Sequence, residues 1–131
     1  MNKDKLYIFD TTLRDGAQTQ GVDFSIDDKQ KISEALDSLG VDYIEGGWPG
    51  ANPTDTEFFN KDHNFKNAKL TAFGMTKKSE HSANNDPMLS SLINSKSSSI
   101  CLFGKSWDFQ VDIALGITNE QNLENISESA K

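Results

Sequence analysis

The sequence predicts an α/β fold built from four consecutive strand–helix units. Short apolar runs alternate along the chain with amphipathic segments that carry helix-capping residues, and this pattern is typical of a parallel sheet or barrel. The alternation recurs about every 30 residues, which is the length of one such unit. A length of 131 residues suits a single domain.

The first unit pairs a strand at residues 5–11 with the most clearly capped helix of the chain. Residues 6–9 are apolar and predict a buried strand. Ser25 followed by Asp28 matches a capping box, and Gly40 is placed to end the helix in a left-handed turn. Helical spacing predicts an inward stripe of Ile32, Ala35, Leu36 and Leu39.

The second unit combines a strand at residues 41–45 with a short helix. Residues 46–50 are rich in glycine and contain a proline, so we expect this run to end the strand. Asn52 and Pro53 then cap and begin the helix. The buried face of this helix is expected to consist of Phe58 and Phe59.

The third and fourth units have predicted strands at residues 70–75 and 99–103. The third helix is expected to begin at the Asp-Pro pair at 86–87. Its inward residues are predicted to be Met88, Leu89, Leu92 and Ile93. Thr118 with Gln121 predicts a second capping box, for the last helix. The inward stripe of that helix is predicted to be Leu123, Ile126 and Ala130.

Four units leave the question of closure open. A (β/α)₈ barrel needs roughly 250 residues and eight strands, so four units make half of one. Half a barrel leaves two open edges. Three outcomes are compatible with this pattern: a fragment of a longer chain, two copies that pair into an eight-stranded assembly, or a self-sufficient open sheet.

Composition narrows the function classes. With 13 Lys and Arg against 20 Asp and Glu, the net charge of −7 argues against a general nucleic-acid surface. No run approaches the roughly 18 apolar residues of a membrane helix, and residues 1–5 do not start a signal peptide, so we expect a cytoplasmic protein without a membrane partner. Cys101 lies in an apolar run and is expected to be a small buried hydrophobe. His63 and His81 fall in polar segments without metal-ligand spacing and are expected at the surface.

Charged residues follow the first predicted strand, at the point where parallel sheets carry their chemistry. Asp15 suits a hard divalent cation as an oxygen ligand, and Arg14 could stabilise an enolate or a carboxylate through a bidentate contact. Glu45 ends the neighbouring strand, and a buried acid there needs a partner, for which Arg14 is the obvious choice. A local Arg14–Asp15 ion pair and a solvated Glu45 are the alternatives.

The loops after the second and fourth strands match no phosphate-binding motif. Residues 46–50 lack the lysine and the glycine spacing of a Walker A loop or a dinucleotide fingerprint. Lys105, in the loop after the fourth strand, is a candidate for binding an anionic group. An exposed loop lysine is the alternative interpretation.

Three motifs in order resemble the N-terminal part of the DRE-TIM metallolyases, most of all the citramalate synthase branch near 2-isopropylmalate and homocitrate synthases. They are T-T-L-R-D-G-A-Q at 11–18, Y-I-E-G-G-W-P-G at 43–50 and F-G-K-S-W-D at 103–108. The resemblance runs over nearly the whole chain. Many relatives have glutamate at the position of Ala17, a departure that citramalate-type sequences share.

The resemblance implies a metal-dependent TIM-barrel acyltransferase of amino-acid biosynthesis. Such an enzyme condenses acetyl-CoA with a 2-oxo acid, here with pyruvate favoured and 2-oxoisovalerate next. By motif position, Asp15 would bind the metal, and Arg14 would stabilise the enolate or the developing alkoxide. Glu45 would support Arg14, and Gln18 would line the substrate pocket. Mg²⁺ or Mn²⁺ is favoured with Zn²⁺ as the alternative, and the parent enzyme is expected to be a homodimer.

The resemblance also implies that part of the active site lies outside these residues. The H-x-H metal ligands and the general base of the family come from later strands of the barrel. We therefore expect residues 1–131 to form a partial barrel domain, with no second domain, in a truncated chain. A carbon–carbon lyase like hydroxymethylglutaryl-CoA lyase and a non-catalytic barrel fragment that self-associates are the alternative functions.

Overall fold

The computed structural model describes residues 4–131 and confirms the α/β fold class, with one parallel sheet whose strands lie in chain order. The strands are β1 (Phe9–Asp10), β2 (Tyr43–Gly47), β3 (Lys69–Met75) and β4 (Ser99–Phe103). The helices are α1 (Ile26–Leu39), α2 (Pro53–Asn60), α3 (Pro87–Ile93), α4 (Asp108–Gln110) and α5 (Asn119–Ser129). Shorter turns are the 3₁₀ segments Gly16–Gln18 and Ala83–Asn85 and the π-helical segment Val111–Leu115.

The helices within residues 4–131 are short or polar, and none of them combines the length and the apolar character needed to cross a membrane. The expectation that residues 1–5 do not begin a signal peptide falls partly on residues 1–3, which lie outside the described range.

The predicted capping boxes are confirmed at the starts of α1 and α5. The Ser25 hydroxyl accepts a hydrogen bond from the Asp28 N–H at 3.1 Å, and the Asp28 carboxylate accepts one from the Ser25 N–H at 3.0 Å. Thr118 and Gln121 exchange the same two bonds before α5. Gly40 ends α1 with a φ of 88°, a left-handed conformation that glycine adopts without strain.

The two central helices also begin where the sequence predicts. Asn52 caps α2 by accepting a hydrogen bond from the Asp55 N–H at 2.8 Å. Asp86 caps α3 by accepting bonds from the N–H groups of Met88 and Leu89. Both helices have proline in the first turn, where its missing N–H leaves no bond unmade.

The main core lies between the sheet and helices α1 to α3. Phe58 and Phe59 are buried as predicted, and their rings meet edge to face at 5.5 Å. Leu89 and Leu92 of α3 are buried as predicted as well. The complete buried cluster is Leu13, Val41, Ile44, Phe58, Phe59, Leu70, Ala72, Leu89 and Leu92. Because side chains alternate along a strand, the opposite face of the sheet is available for a functional site.

The first strand is shorter and more exposed than predicted. The ladder with β2 contains Phe9 and Asp10 only, and Leu6 is 80% exposed. The carboxylate of Asp42 accepts a hydrogen bond from the Ile8 N–H at 2.8 Å, so a side chain replaces a ladder partner there. β1 also lies at one edge of the sheet, where a neighbouring strand shields it from solvent on one side only. The prediction of a buried strand over residues 6–9 is therefore wrong.

The inward face of α1 differs from the predicted apolar stripe. Its buried residues are Lys29, Ser33 and Asp37, at a spacing of four. Ile32 and Leu36 are half-buried against the core, as predicted. Ala35 and Leu39 are exposed, contrary to prediction. Lys29 and Asp37 find hydrogen-bond partners outside the helix on this side, which favours the rotation of α1 toward its polar residues.

The same difference appears in the later helices. Ile93 of α3 is 73% exposed, while Met88 is half-buried. In α5, Ile126 is half-buried, but the predicted inward residues Leu123 and Ala130 are exposed. The buried residues of α5 are Asn122 and Asn125. Helical spacing alone therefore placed Ile126 correctly but Leu123 and Ala130 wrongly.

Asp37 fastens α1 to the segment that leads into β3. Its carboxylate accepts hydrogen bonds from the backbone N–H groups of Lys66 at 2.9 Å and of Asn67 and Ala68 at 2.8 Å. Burial raises the pKa of Asp37, but these hydrogen bonds and the charge of Lys66 outweigh burial and lower the pKa below its ordinary value.

We expect Asp37→Ala to reduce the free energy of unfolding by about 1–3 kcal/mol at pH 7, because buried N–H groups lose their acceptor. The pKa of Asp37 is lower in the folded state, so its contribution is complete above the unfolded pKa of about 3.9 and declines as pH falls through the folded pKa. Urea titrations at pH 7 and at low pH check this. Glu34→Ala, at an exposed position of α1, is the control, and an equal loss at both pH values would contradict the prediction.

Candidate active site

A tight turn directly after β1 places Arg14. The N–H groups of Arg14, Asp15 and Gly16 all point at the carbonyl oxygen of Thr11, at 3.2, 2.9 and 3.1 Å. The Leu13 side chain is completely buried in the core and anchors the turn. Arg14 and Asp15 are therefore presented at the carboxyl end of the sheet.

The guanidinium of Arg14 is held on three sides. Its Nε donates to Oε2 of Glu45 at 2.7 Å, and its Nη1 lies 3.5 Å from Oδ1 of Asp15. Its central carbon lies 4.1 Å from the centre of the Phe73 ring, a cation–π contact that the sequence did not predict. Glu45 is 1% exposed, and Arg14 supplies the opposite charge that a buried carboxylate needs. The structure brings Arg14 and Glu45 together, as the adjacent strand ends predict.

Glu45 is followed by a β-bulge and not by the predicted end of the strand. The register of β2 against β3 shifts between Glu45 and Gly47, so Gly46 is an additional residue within the strand. Gly47 has a φ of 145°, and a Cβ atom there would lie 2.5 Å from the carboxylate carbon of Asp55. The glycines therefore extend β2 through a bulge and make room for Asp55, whereas the sequence pattern predicted that they end the strand.

A cleft of about 540 Å³ opens beside Arg14. Gln18 and Lys105 also line this cleft, so the structure brings three predicted site residues to one cavity. Trp48 and Phe73 form an aromatic wall, with their rings edge to face at 5.5 Å. The cleft thus combines cationic and amide groups with an apolar surface, a combination suited to a small anionic ligand.

Asp15 lies beside the cleft with its side chain 64% exposed. A carboxylate in this position suits a hard divalent cation, which prefers oxygen ligands. Within the part of the chain that the structure describes, no group of three or more His, Cys, Asp or Glu side chains is arranged to hold a metal ion. Within these residues, Asp15 is therefore a single candidate ligand and not a complete metal site.

The two histidines lie in structural contacts. His63 is half-buried, with its ring 4.6 Å from that of Phe58 and its Nε2 2.9 Å from the Phe58 carbonyl oxygen. Its predicted surface position is therefore wrong, because its ring packs at a tilt against the rings of Phe58 and Phe65. His81 is partly exposed, and its Nδ1 lies 3.4 Å from Oδ2 of Asp86.

A buried ion pair that the sequence pattern did not predict lies next to the site. Lys29 is 3% exposed and pairs with Asp55. The apolar stripe predicted for α1 did not include Lys29. One signal was available: a lysine near the start of a helix opposes the helix dipole, so a nearby acid is needed to favour it.

Comparison with known proteins identifies the family. The profile of the HMGL-like family matches residues 5–131. The chain belongs to the HMGL-like family. The DRE-TIM resemblance of the three motifs is thereby confirmed, and the four strand–helix units are the N-terminal part of a TIM barrel.

Individual relatives of this HMGL-like chain are synthases. It is 52% identical over 130 residues to the (R)-citramalate synthase of Aquifex aeolicus, covering 98% of this chain and 25% of that protein. It is 48% identical over 124 residues to the (R)-citramalate synthase of Sulfolobus acidocaldarius, covering 93% and 24%. The identity to the 2-isopropylmalate synthase of Sulfurisphaera tokodaii is 33% over 131 residues, covering 100% and 32%. The chain spans about a quarter of the length of the citramalate synthases that it matches.

Cys101 of this HMGL-like chain lies near Glu45, on the functional face of the sheet. Burial raises the pKa of its thiol, and the charge and hydrogen bonding of Glu45 raise it further, while Arg14 lowers it. Because the thiolate is the nucleophilic form, a raised pKa disfavours reaction of this half-buried thiol. Such behaviour is typical of a packing residue.

Glu45→Gln is expected to lower the pKa of the Cys101 thiol, because it removes the negative charge that disfavours the thiolate. Alkylation of Cys101 by iodoacetamide should then be faster at pH 8, with its pH midpoint shifted downward. Peptide mass spectrometry measures the rate at this residue. Glu57→Gln on the exposed side of α2 is the matched control. An unchanged midpoint in Glu45→Gln would show that Glu45 does not act on the thiol.

Proposed function

We propose that the full-length protein carrying this sequence catalyses a metal-dependent condensation of acetyl-CoA with a 2-oxo acid, with pyruvate as the favoured substrate and citramalate as the product. The observation that carries the proposal is the Arg14–Glu45 pair beside a cleft lined by Gln18 and Lys105, within a chain whose relatives include proteins named (R)-citramalate synthase. The net reaction removes a proton from the methyl group of acetyl-CoA, forms a carbon–carbon bond to the ketone, and hydrolyses the thioester with water to release CoA.

Arg14 is suited to stabilise the negative charge that develops on oxygen. A guanidinium has five N–H donors, of which Nε is occupied by Glu45 and Nη1 is shared weakly with Asp15. The remaining donors can bond an enolate or alkoxide oxygen in the cleft. Glu45 and the Phe73 ring hold the guanidinium in place before the reaction, and preorganised donors of this kind supply a large part of enzymatic rate enhancement.

The metal would be held by Asp15 together with ligands from other parts of the full-length protein. When bound, a divalent cation would hold the oxygens of the 2-oxo acid and polarise its ketone. The oxygen donor of Asp15 favours Mg²⁺ or Mn²⁺, with Zn²⁺ as the alternative. We assign Gln18 to orientation of the 2-oxo acid and Lys105 to an anionic group of a substrate, because both line the cleft. We further propose a homodimeric enzyme in the cytoplasm.

The polypeptide of residues 1–131 is expected to release no CoA thiol above background when it is incubated with acetyl-CoA, pyruvate and Mg²⁺. The reason is the incomplete set of metal ligands in the described residues. Thiol release followed with a chromogenic disulfide measures the rate, and the full-length protein serves as the positive control. Turnover by the short polypeptide would contradict the prediction and would favour self-association into a complete site.

Arg14→Lys in the full-length protein is expected to reduce kcat by about 10²–10³-fold, because a compact ammonium lacks the planar fork of donors that reaches from Glu45 to a substrate oxygen. Steady-state kinetics of thiol release measure the loss. Lys31→Gln, at an exposed position of α1, is the control for a lost positive charge. Full activity of Arg14→Lys would exclude the proposed role, and cleavage of hydroxymethylglutaryl-CoA by the wild-type protein would instead identify a lyase.

A further inference from the structure

We propose that the buried ion pair of Lys29 and Asp55 positions Arg14 and Glu45 for the reaction. Neither member of the pair belongs to the three sequence motifs, and the pair joins α1 to α2. The inference rests on the proposed function for its catalytic readout. It names two positioning residues for that site, which act through the backbone next to Arg14 and Glu45.

The three acceptors around the Lys29 ammonium carry the inference. Its Nζ donates to the carbonyl oxygen of Leu13 at 2.9 Å, to that of Gly46 at 2.8 Å, and to Oδ1 of Asp55. Leu13 directly precedes Arg14, and Gly46 directly follows the glutamate that pairs with Arg14. A single ammonium therefore ties together the two backbone segments whose side chains must meet.

Asp55 extends this arrangement to the aromatic wall. Its second oxygen, Oδ2, accepts hydrogen bonds from the Trp48 N–H at 2.8 Å and from Nδ2 of Asn52 at 2.9 Å. The Trp48 ring in turn meets the Phe73 ring edge to face at 5.5 Å. Phe73 is the ring on which Arg14 rests. The ion pair is thus connected to both groups that hold the guanidinium. It contacts the residue next to Glu45 directly, and it reaches Phe73 through Trp48.

The hydrogen-bond capacity of Lys29 separates a positioning role from a catalytic one. Lys29 and Asp55 border the cleft, but an ammonium has three donors, and here all three are bonded to protein oxygens. Lys29 therefore has no donor left for a ligand. A buried ion pair is also a weak source of stability, since apolar replacements are often equally stable. An apolar pair could not, however, hold the carbonyl groups of Leu13 and Gly46 in place through hydrogen bonds.

The test uses the full-length protein with two variants and a matched control. Lys29→Met removes the ammonium and leaves Asp55 buried without its partner. Lys29→Met/Asp55→Asn removes that unpaired charge as well. Asp37→Asn is the control, because Asp37 is a buried acid of the same helix that holds residues 66–68 and not the site.

We expect kcat for the condensation of acetyl-CoA with pyruvate to fall about 10- to 100-fold in both Lys29 variants, since small displacements of catalytic groups have effects of this size. The double variant should recover the Tm that Lys29→Met loses, but it should not recover kcat. Asp37→Asn should lower Tm with kcat close to that of the wild type. In an Arg14→Lys background, Lys29→Met should cause little further loss, because the two residues act as one unit.

A second readout does not depend on activity. Phenylglyoxal modification of Arg14, followed by peptide mass spectrometry, should be faster in Lys29→Met/Asp55→Asn than in the wild type or in Asp37→Asn. If the wild-type protein does not perform the condensation, the proposed function fails, while faster modification of Arg14 still supports the positioning role. Recovery of kcat together with Tm in the double variant, or an unchanged modification rate of Arg14, would overturn the inference.

Discussion

A charged group that is buried between a helix and a sheet needs a partner for each of its polar atoms, and this constraint determines how α1 lies in the protein. Lys29 meets the requirement at the carboxyl end of the sheet, through two carbonyl oxygens and a carboxylate of α2. Asp37, on the same side of the helix, meets it at the amino end through residues 66–68. One helix is thereby fixed at both ends of the sheet. Only the contacts of Lys29 reach the turn of Arg14 and the bulge after Glu45.

The features that the sequence predicted correctly depend on few and nearby residues. The helix starts at Ser25 and Thr118 need a side chain and its partner three residues later, so a short motif contains the whole interaction. The contact of Arg14 with Glu45 joins residues 31 positions apart. It could nevertheless be predicted, because the carboxyl ends of adjacent parallel strands must meet at one edge.

The rotation of the helices about their axes could not be predicted, because distant partners decide it. The acceptors of Lys29 lie 16 to 26 positions away. In α5, the Asn122 amide donates to the Lys105 carbonyl at 2.8 Å, and the Asn125 amide donates to the Ser79 hydroxyl at 2.8 Å. These contacts hold the loops after β3 and β4. Nothing in the residues around the two asparagines indicates them, whereas the apolar spacing of Leu123, Ile126 and Ala130 indicates a neighbouring face of the helix.

The buried Asp55 also restricts which residue can occupy position 47. The φ of 145° at Gly47, and the 2.5 Å that would separate any Cβ atom there from the Asp55 carboxylate carbon, leave space for glycine alone while the acid keeps its position. Asp55 in turn supplies the negative charge that pairs with the buried Lys29 ammonium. A larger residue at Gly47 would displace the acid, and loss of the acid would leave the Lys29 ammonium buried without its opposite charge. The three positions are therefore structurally coupled, although they lie in different elements of the chain.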